Sequence, residues 1–243
     1  MSEILKIINL SGGYKEGVNI LHDISMEVQQ GEAVGIIGLN GSGKSTFGKA
    51  LMGMIPYRWG VMEFDGEDVT GLPTTELAHR GISIMQQGGK VFRNLSVWDN
   101  LQLATQGKTG QRSKVKGQLA EIIPLLQRPG KELRNLMADK LSGGQKHQLS
   151  LAMTLATNPK LVILDEPSAG LSPIAVEEMY QMLRAIKEKL GVTIILIEQN
   201  IAKAVEFCER SALIRQGNIL KIFKEDNLNN IEDYMFRREA FNV

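Results

Sequence analysis

Gly38-Leu39-Asn40-Gly41-Ser42-Gly43-Lys44-Ser45-Thr46 is a G-x-x-x-x-G-K-[ST] run. It follows the apolar stretch 33–38 and opens a segment whose residues predict a helix from Lys44 to about Met54. Strand, glycine loop and helix in that order form a phosphate cradle. The glycines let the backbone curl so that successive N–H groups converge on a phosphate chain, and the helix N-terminus adds its positive dipole end. Gly38, Asn40, Gly41, Ser42, Gly43, Lys44, Ser45 and Thr46 are therefore candidate nucleotide ligands. Lys44 would bring a full charge to the β- and γ-phosphates, and the Ser45 hydroxyl would ligate Mg²⁺. A tight glycine turn with an exposed lysine is the plain alternative, and the strand-loop-helix context argues against it.

Leu161-Val162-Ile163-Leu164 and 192–197 are unbroken apolar runs, as in strands covered on both faces. Between them Val176, Met179, Leu183, Ile186 and Leu190 recur at spacings of three and four, after Ser172 as a helix cap and Pro173 at the first helical position. This is a parallel strand-helix-strand crossover. The first such strand ends in Asp165-Glu166, at the strand end where α/β proteins bind ligands. Asp165 suits an outer contact to Mg²⁺ and Glu166 suits polarising an attacking water. Without the phosphate loop the two would read equally well as an acidic helix cap.

Outward from these anchors the expected class is α/β: a P-loop NTPase core with a mixed or parallel sheet, an antiparallel β subdomain and an inserted α-helical subdomain. Residues 4–10, 20–28 and 61–64 read as strands, with turns at 11–13 and 29–31 and a hairpin at Asp65-Gly66. From 88 to 156 strand-like runs vanish, and 97–105, 113–126 and 145–156 are helix-like. Leu149, Ala152, Met153 and Ala156 share one face of the last of these. The expected division is 1–87 with 157–223 as core, 88–156 as helical lobe, and 224–243 as a charged, helical tail.

At 243 residues, with 43% hydrophobic and 23% charged residues, the composition is globular. A net charge of +1 disfavours a strongly basic nucleic-acid binder. The single cysteine, Cys208, cannot form an intrachain disulfide, which fits a reducing compartment. The first residues lack the basic and apolar regions of a signal peptide. No apolar run reaches the roughly 18 residues of a membrane helix, so any membrane role is expected to come through a partner.

Leu141-Ser142-Gly143-Gly144-Gln145 precedes the helix expected at 145–156. Ser142 is a natural helix cap, with the two glycines as the preceding turn. The same residues also make a second anion site, from a hydroxyl, bare N–H groups and a helix dipole. The order of phosphate loop, Gln87, Leu-Ser-Gly-Gly-Gln and apolar strand with Asp165-Glu166 resembles the ATP-binding-cassette ATPases over essentially the whole chain. The resemblance implies an ATPase that converts ATP and water to ADP and phosphate. It also implies that two ATPs are sandwiched in a dimer, each between the phosphate loop of one subunit and Ser142, Gly143, Gly144 and Gln145 of the other. By the same resemblance Tyr14 stacks on adenine, and Gln87 touches Mg²⁺ and senses the membrane subunit. Gln86 is its rival by one place, and Gly88 after Gln87 favours the latter.

Two departures from the family pattern stand out. Ser172 takes the place of the usual Asp in the loop after Glu166, and Gln199 takes the place of the usual switch histidine. Gln199 can donate a hydrogen bond to a γ-phosphate but cannot carry a proton charge. Glu198-Gln199-Asn200, Ser-Ala-Gly-Leu-Ser-Pro at 168–173 and the run 64–73 resemble the ATP-binding subunits of branched-chain amino-acid importers. ATPases for urea or short amides and for lipopolysaccharide export are near relatives, and a soluble non-transport ATPase of the same superfamily is the alternative from another class. The resemblance implies membrane-spanning permease subunits, a second ATPase subunit (a second copy or a sister chain), and a peripheral place on the cytoplasmic face of the cell membrane. No nucleic-acid partner is expected. The apolar cluster Val91, Phe92, Leu95 and Trp98 is expected either to dock the membrane subunit or to seal the helical lobe.

Overall fold

The computed structural model describes residues 2–105 and 135–224. The expected helix at 113–126 and the expected helical tail lie outside the described residues. The chain divides into two compact units, Met1–Thr74 with Ile194–Val243, and Thr75–Thr193.

In the first unit, β1 (Glu3–Gly13) pairs antiparallel with both β2 (Leu21–Gln29) and β4 (Tyr57–Phe64), and β4 turns at Asp65-Gly66 into the short β5 (Glu67–Asp68). The turn predicted at 11–13 is instead the end of β1. Gly12 sits so close to the neighbouring strand that a Cβ there would lie 2.4 Å from the Tyr57 carbonyl oxygen, so the glycines are kept for close approach rather than for reversal. A second sheet is built on β3 (Ala33–Ile37), every residue of which is buried. It runs parallel to β8 (Thr193–Glu198) on one side and to β9 (Arg210–Arg215) on the other, and β10 (Asn218–Lys224) pairs antiparallel with β9. Double-sided burial explains the unbroken apolar runs of β3 and β8. The helix α1 (Lys44–Leu51) ends one turn earlier than the predicted Met54, because the backbone turns left-handed at Gly53. The Arg58 guanidinium donates to the Ala50 carbonyl oxygen at 3.0 Å and to that of Leu72, closing the α1 C-terminus, and its burial pulls its pKa below the usual value.

The second unit holds α2 (Thr74–Arg80), the parallel pair β6 (Ile82–Met85) and β7 (Leu161–Asp165), α3 (Val97–Thr105), α4 (Gly143–Leu155) and α5 (Pro173–Leu190). The boundaries of α3 coincide with the prediction. The described part of 88–156 contains α3, a single 3₁₀ turn at Ala138–Lys140 and α4, with an isolated bridge between Ser96 and Met137. Ser172 caps α5 as expected, its Oγ accepting from the Ala175 N–H at 3.4 Å, with Pro173 first in the helix. Met179, Leu183 and Ile186 are buried on its core face, with Tyr180 and Met182. In α4 and its C-cap Ala156, Leu149, Ala152 and Ala156 are buried as the spacing predicted, and Met153 is half-buried.

Candidate active site

The phosphate loop leaves β3 at Gly38 and enters α1 at Lys44. A Cβ on Gly38 would lie 2.3 Å from the Ile214 carbonyl oxygen, so β9 leaves room here only for glycine. Gly41 and Gly43 have φ of +76° and +104°, the left-handed region that lets the loop close on itself. Asn40 and Gly41 are exposed at its crest, whereas Ser42, Gly43, Lys44 and Thr46 are buried and Ser45 is half-buried. The Lys44 Nζ donates to the carbonyl oxygens of Gly38 and Leu39 at 2.8 and 3.0 Å, so the ammonium lies across the loop it belongs to. That is a fixed positive charge at a helix N-terminus, a setting built for anions. The Ser42 Oγ is buried without a hydrogen-bond partner, an unusual cost unless something else is bound nearby. Tyr14, just past β1, keeps 43% of its surface exposed, with the Lys49 Nζ 6.0 Å from its ring centre.

At the end of β8 a second local device stands in the same unit. Glu198, 2% exposed, accepts from the backbone N–H of Gln199 at 3.1 Å and from that of Asn200 at 3.4 Å. The cap of the next helix, α6 (Ile201–Phe207), is Asn200, whose Oδ1 accepts from the Lys203 N–H at 3.1 Å. Gln199 itself therefore does not cap α6, and it is exposed between two anchored residues. Sequence reading quoted Glu198 without giving it a role, and only its burial and its two N–H contacts reveal one.

In the second unit β7 ends at Asp165, 3% exposed, and the chain reverses at Glu166, 6% exposed, whose φ is +50°. A left-handed glutamate costs about 1–3 kcal/mol, the kind of strain kept at functional sites. Gln87, from the segment after β6, donates through Nε2 to Glu166 Oε2 at 2.7 Å. Donation commits the amide nitrogen to the carboxylate and leaves the carbonyl oxygen for another partner, the atom a hard cation would take.

Ser142 caps α4 in a reciprocal capping box: its Oγ accepts from the Gln145 N–H at 3.2 Å, and Gln145 Oε1 accepts from the Ser142 N–H at 3.0 Å. Gly143 and Gly144 are therefore the first residues of the helix and not a preceding turn, because the box starts the helix at once. Their N–H groups belong to the helix terminus, which is the geometry an anion needs. Among the described residues no three His, Cys, Asp or Glu cluster as a metal site. Any ion held through these residues would be a hard one, taken by carboxylate, hydroxyl and amide oxygens.

If Gln199 supplies one amide donor to a γ-phosphate, Gln199→Ala should lower turnover by about tenfold to a hundredfold, the scale for one lost oxyanion donor with a discount for exposure. Gln199→His should retain turnover and add pH dependence around pH 6 to 7 that the native profile lacks. Steady-state hydrolysis of both variants, with unfolding midpoints as controls, checks this. An unchanged rate for Gln199→Ala at unchanged stability would remove Gln199 from the site.

A sequence family described as "ABC transporter" matches residues 21–169. The branched-chain amino acid transport ATP-binding protein BraG of Pseudomonas aeruginosa is 34% identical over 207 residues, covering 85% of this chain and 87% of that protein. The lipopolysaccharide export ATP-binding protein LptB of Escherichia coli is 33% identical over 216 residues, covering 87% of each. Among solved structures, an ATP-binding cassette of an ABC transporter in its ADP conformation superposes with a TM-score of 0.85 at 25% identity, covering 100% of both chains.

Proposed function

The chain belongs to the ABC transporter family of ATP-hydrolysing subunits, and on that premise we propose that it powers uptake of branched-chain or closely related amino acids. The observation that carries this choice is Glu198-Gln199-Asn200, a glutamine exposed at the end of β8 where the family usually has histidine. The similarity to BraG supports it. Lipopolysaccharide export is the second reading, favoured by the near-equal identity to LptB.

In this proposal ATP binds with its adenine on Tyr14 and its phosphates on Gly38, Asn40, Gly41, Ser42, Gly43, Lys44, Ser45 and Thr46. Ser142, Gly143, Gly144 and Gln145 serve the ATP of a second ATPase subunit, a second copy or a sister chain. Glu166 takes the proton of the attacking water and Gln199 donates to the γ-phosphate. Mg²⁺ would take oxygen donors of the kind Ser45, Gln87 and Asp165 carry, and when bound it neutralises phosphate charge. No helix among the described residues is long and apolar enough to cross a membrane. The proposed place is peripheral, on the cytoplasmic face of the membrane, beneath permease subunits.

The docking point proposed for those subunits is Phe92, 52% exposed, with Met137 41% exposed in the same unit. Its loop is held rigid by the buried Asn100, whose Oδ1 accepts from the Phe92 N–H at 2.8 Å and whose Nδ2 donates to the Phe92 and Ser96 carbonyl oxygens at 3.0 and 2.9 Å. A preorganised aromatic anchor of this kind makes an interface hot spot. Phe92→Asp should leave the fold and ATP binding intact and abolish co-purification with the membrane subunits. Undiminished recovery of the complex would move the docking site elsewhere.

The transport reading is tested with proteoliposomes holding this chain and the membrane subunits encoded beside its gene. ATP-dependent entry of labelled leucine is expected. ATP-dependent extraction of lipopolysaccharide without leucine uptake would establish the second reading instead.

A further inference from the structure

His147, on the second turn of α4, is buried, with 7% of its surface exposed. Its Nδ1 lies 2.8 Å from the Pro167 carbonyl oxygen. A carbonyl only accepts, so Nδ1 carries the proton and donates. Pro167 directly follows Glu166. The other flank of the ring lies on Gly89: a Cβ built there would fall 2.2 Å from His147 Cδ2 and 2.9 Å from Cγ and Nε2. Gly89 is two residues past Gln87 and has φ of +56°. One rigid ring, with only two side-chain torsions, therefore touches the backbones of both segments that present the Gln87–Glu166 pair. It does so from the helix whose first turn is Ser142-Gly143-Gly144.

We propose that His147 is a positioning residue for the Gln87–Glu166 pair, a wedge through which the placement of α4, the helix that Ser142 caps, sets the 2.7 Å contact between them. The proposal rests on the reading of Glu166 as the group that receives the water proton. A helix displaced by a second subunit's nucleotide would shift both loops through this ring. Packing alone would be met by any side chain of similar bulk, whereas positioning needs a donor at Nδ1. Asn places an amide N–H near the Nδ1 position, and Gln carries its donor farther out.

The test is kcat and KM for MgATP in the full-length chain carrying His147→Ala, His147→Gln or His147→Asn, with unfolding midpoints. His147→Ala and His147→Gln should lower kcat by at least about tenfold with KM within about twofold, because small misplacements of a reacting group are costly. His147→Asn should recover kcat to within about threefold. Wild-type turnover in the Gln variant, a rise in KM at constant kcat, or an Asn variant no better than Gln would each overturn the proposal. If His147→Ala does not fold, the Asn–Gln pair still decides it. Glu166→Gln measured in parallel separates the two layers. If that variant turns over normally, the underlying reading fails and the wedge with it. If it is inactive while His147→Gln is normal, the wedge alone fails.

Discussion

Lys44→Ala is expected to reduce ATP hydrolysis by about a hundredfold to a thousandfold and to weaken ATP binding at the same time, the scale for losing a preorganised charge aimed at the transferring phosphate. The structure explains why both properties should fall. The ammonium is buried with the loop and held by the Gly38 and Leu39 carbonyl oxygens, so its position is set before a ligand arrives. Preorganised charge needs no rearrangement during the reaction, and the low-dielectric surroundings keep it unscreened. Lys44→Arg should recover little, because a planar fork does not replace a point charge in so confined a site. Hydrolysis by Lys44→Ala within about twofold of the native rate would sink the assignment of the loop.

Glu166→Gln is expected to keep ATP binding and to lose turnover by about a hundredfold to ten-thousandfold, the range for removing a general base. The amide keeps the volume and a hydrogen-bonding oxygen, so the Gln87 contact and the left-handed backbone should persist. What disappears is the capacity to accept a proton. ATP should then hold the paired subunits together, seen as a shift to larger size in gel filtration with ATP but not ADP. Where the native pair is a sister chain, that chain must be present in the experiment.

The phosphate loop, Asp165-Glu166 and Ser142-Gly143-Gly144-Gln145 were legible because each sets particular residue types at fixed spacing against a strand or helix boundary. The apolar strands β3, β7 and β8 were legible for a related reason, since double burial leaves no alternation to confuse the reading. The errors have equally local causes. Gly12 was taken for a turn because glycine marks both reversals and close strand contacts, and only the partner carbonyl at Tyr57 distinguishes them. Gly143-Gly144 was placed before its helix because glycine is a poor helix former, and the capping box that overrides this depends on side-chain geometry. The contact between Gln87 and Glu166 joins residues far apart in sequence, and no spacing rule predicts it. His147 escaped notice as a contact for the same reason, since its partners Gly89 and Pro167 come together only by folding.

Nucleotide binding is expected to depend on the loop around Lys44, and the proton chemistry on Glu166. Equilibrium binding of labelled ATP and release of labelled phosphate, measured side by side on Lys44→Ala and Glu166→Gln preparations of equal stability, separates the two most directly. Lys44→Ala should lose both binding and release, while Glu166→Gln should bind ATP as the native chain does and release almost no phosphate. Phosphate release by Glu166→Gln at the native rate, or loss of ATP binding in that variant equal to the loss in Lys44→Ala, would contradict it.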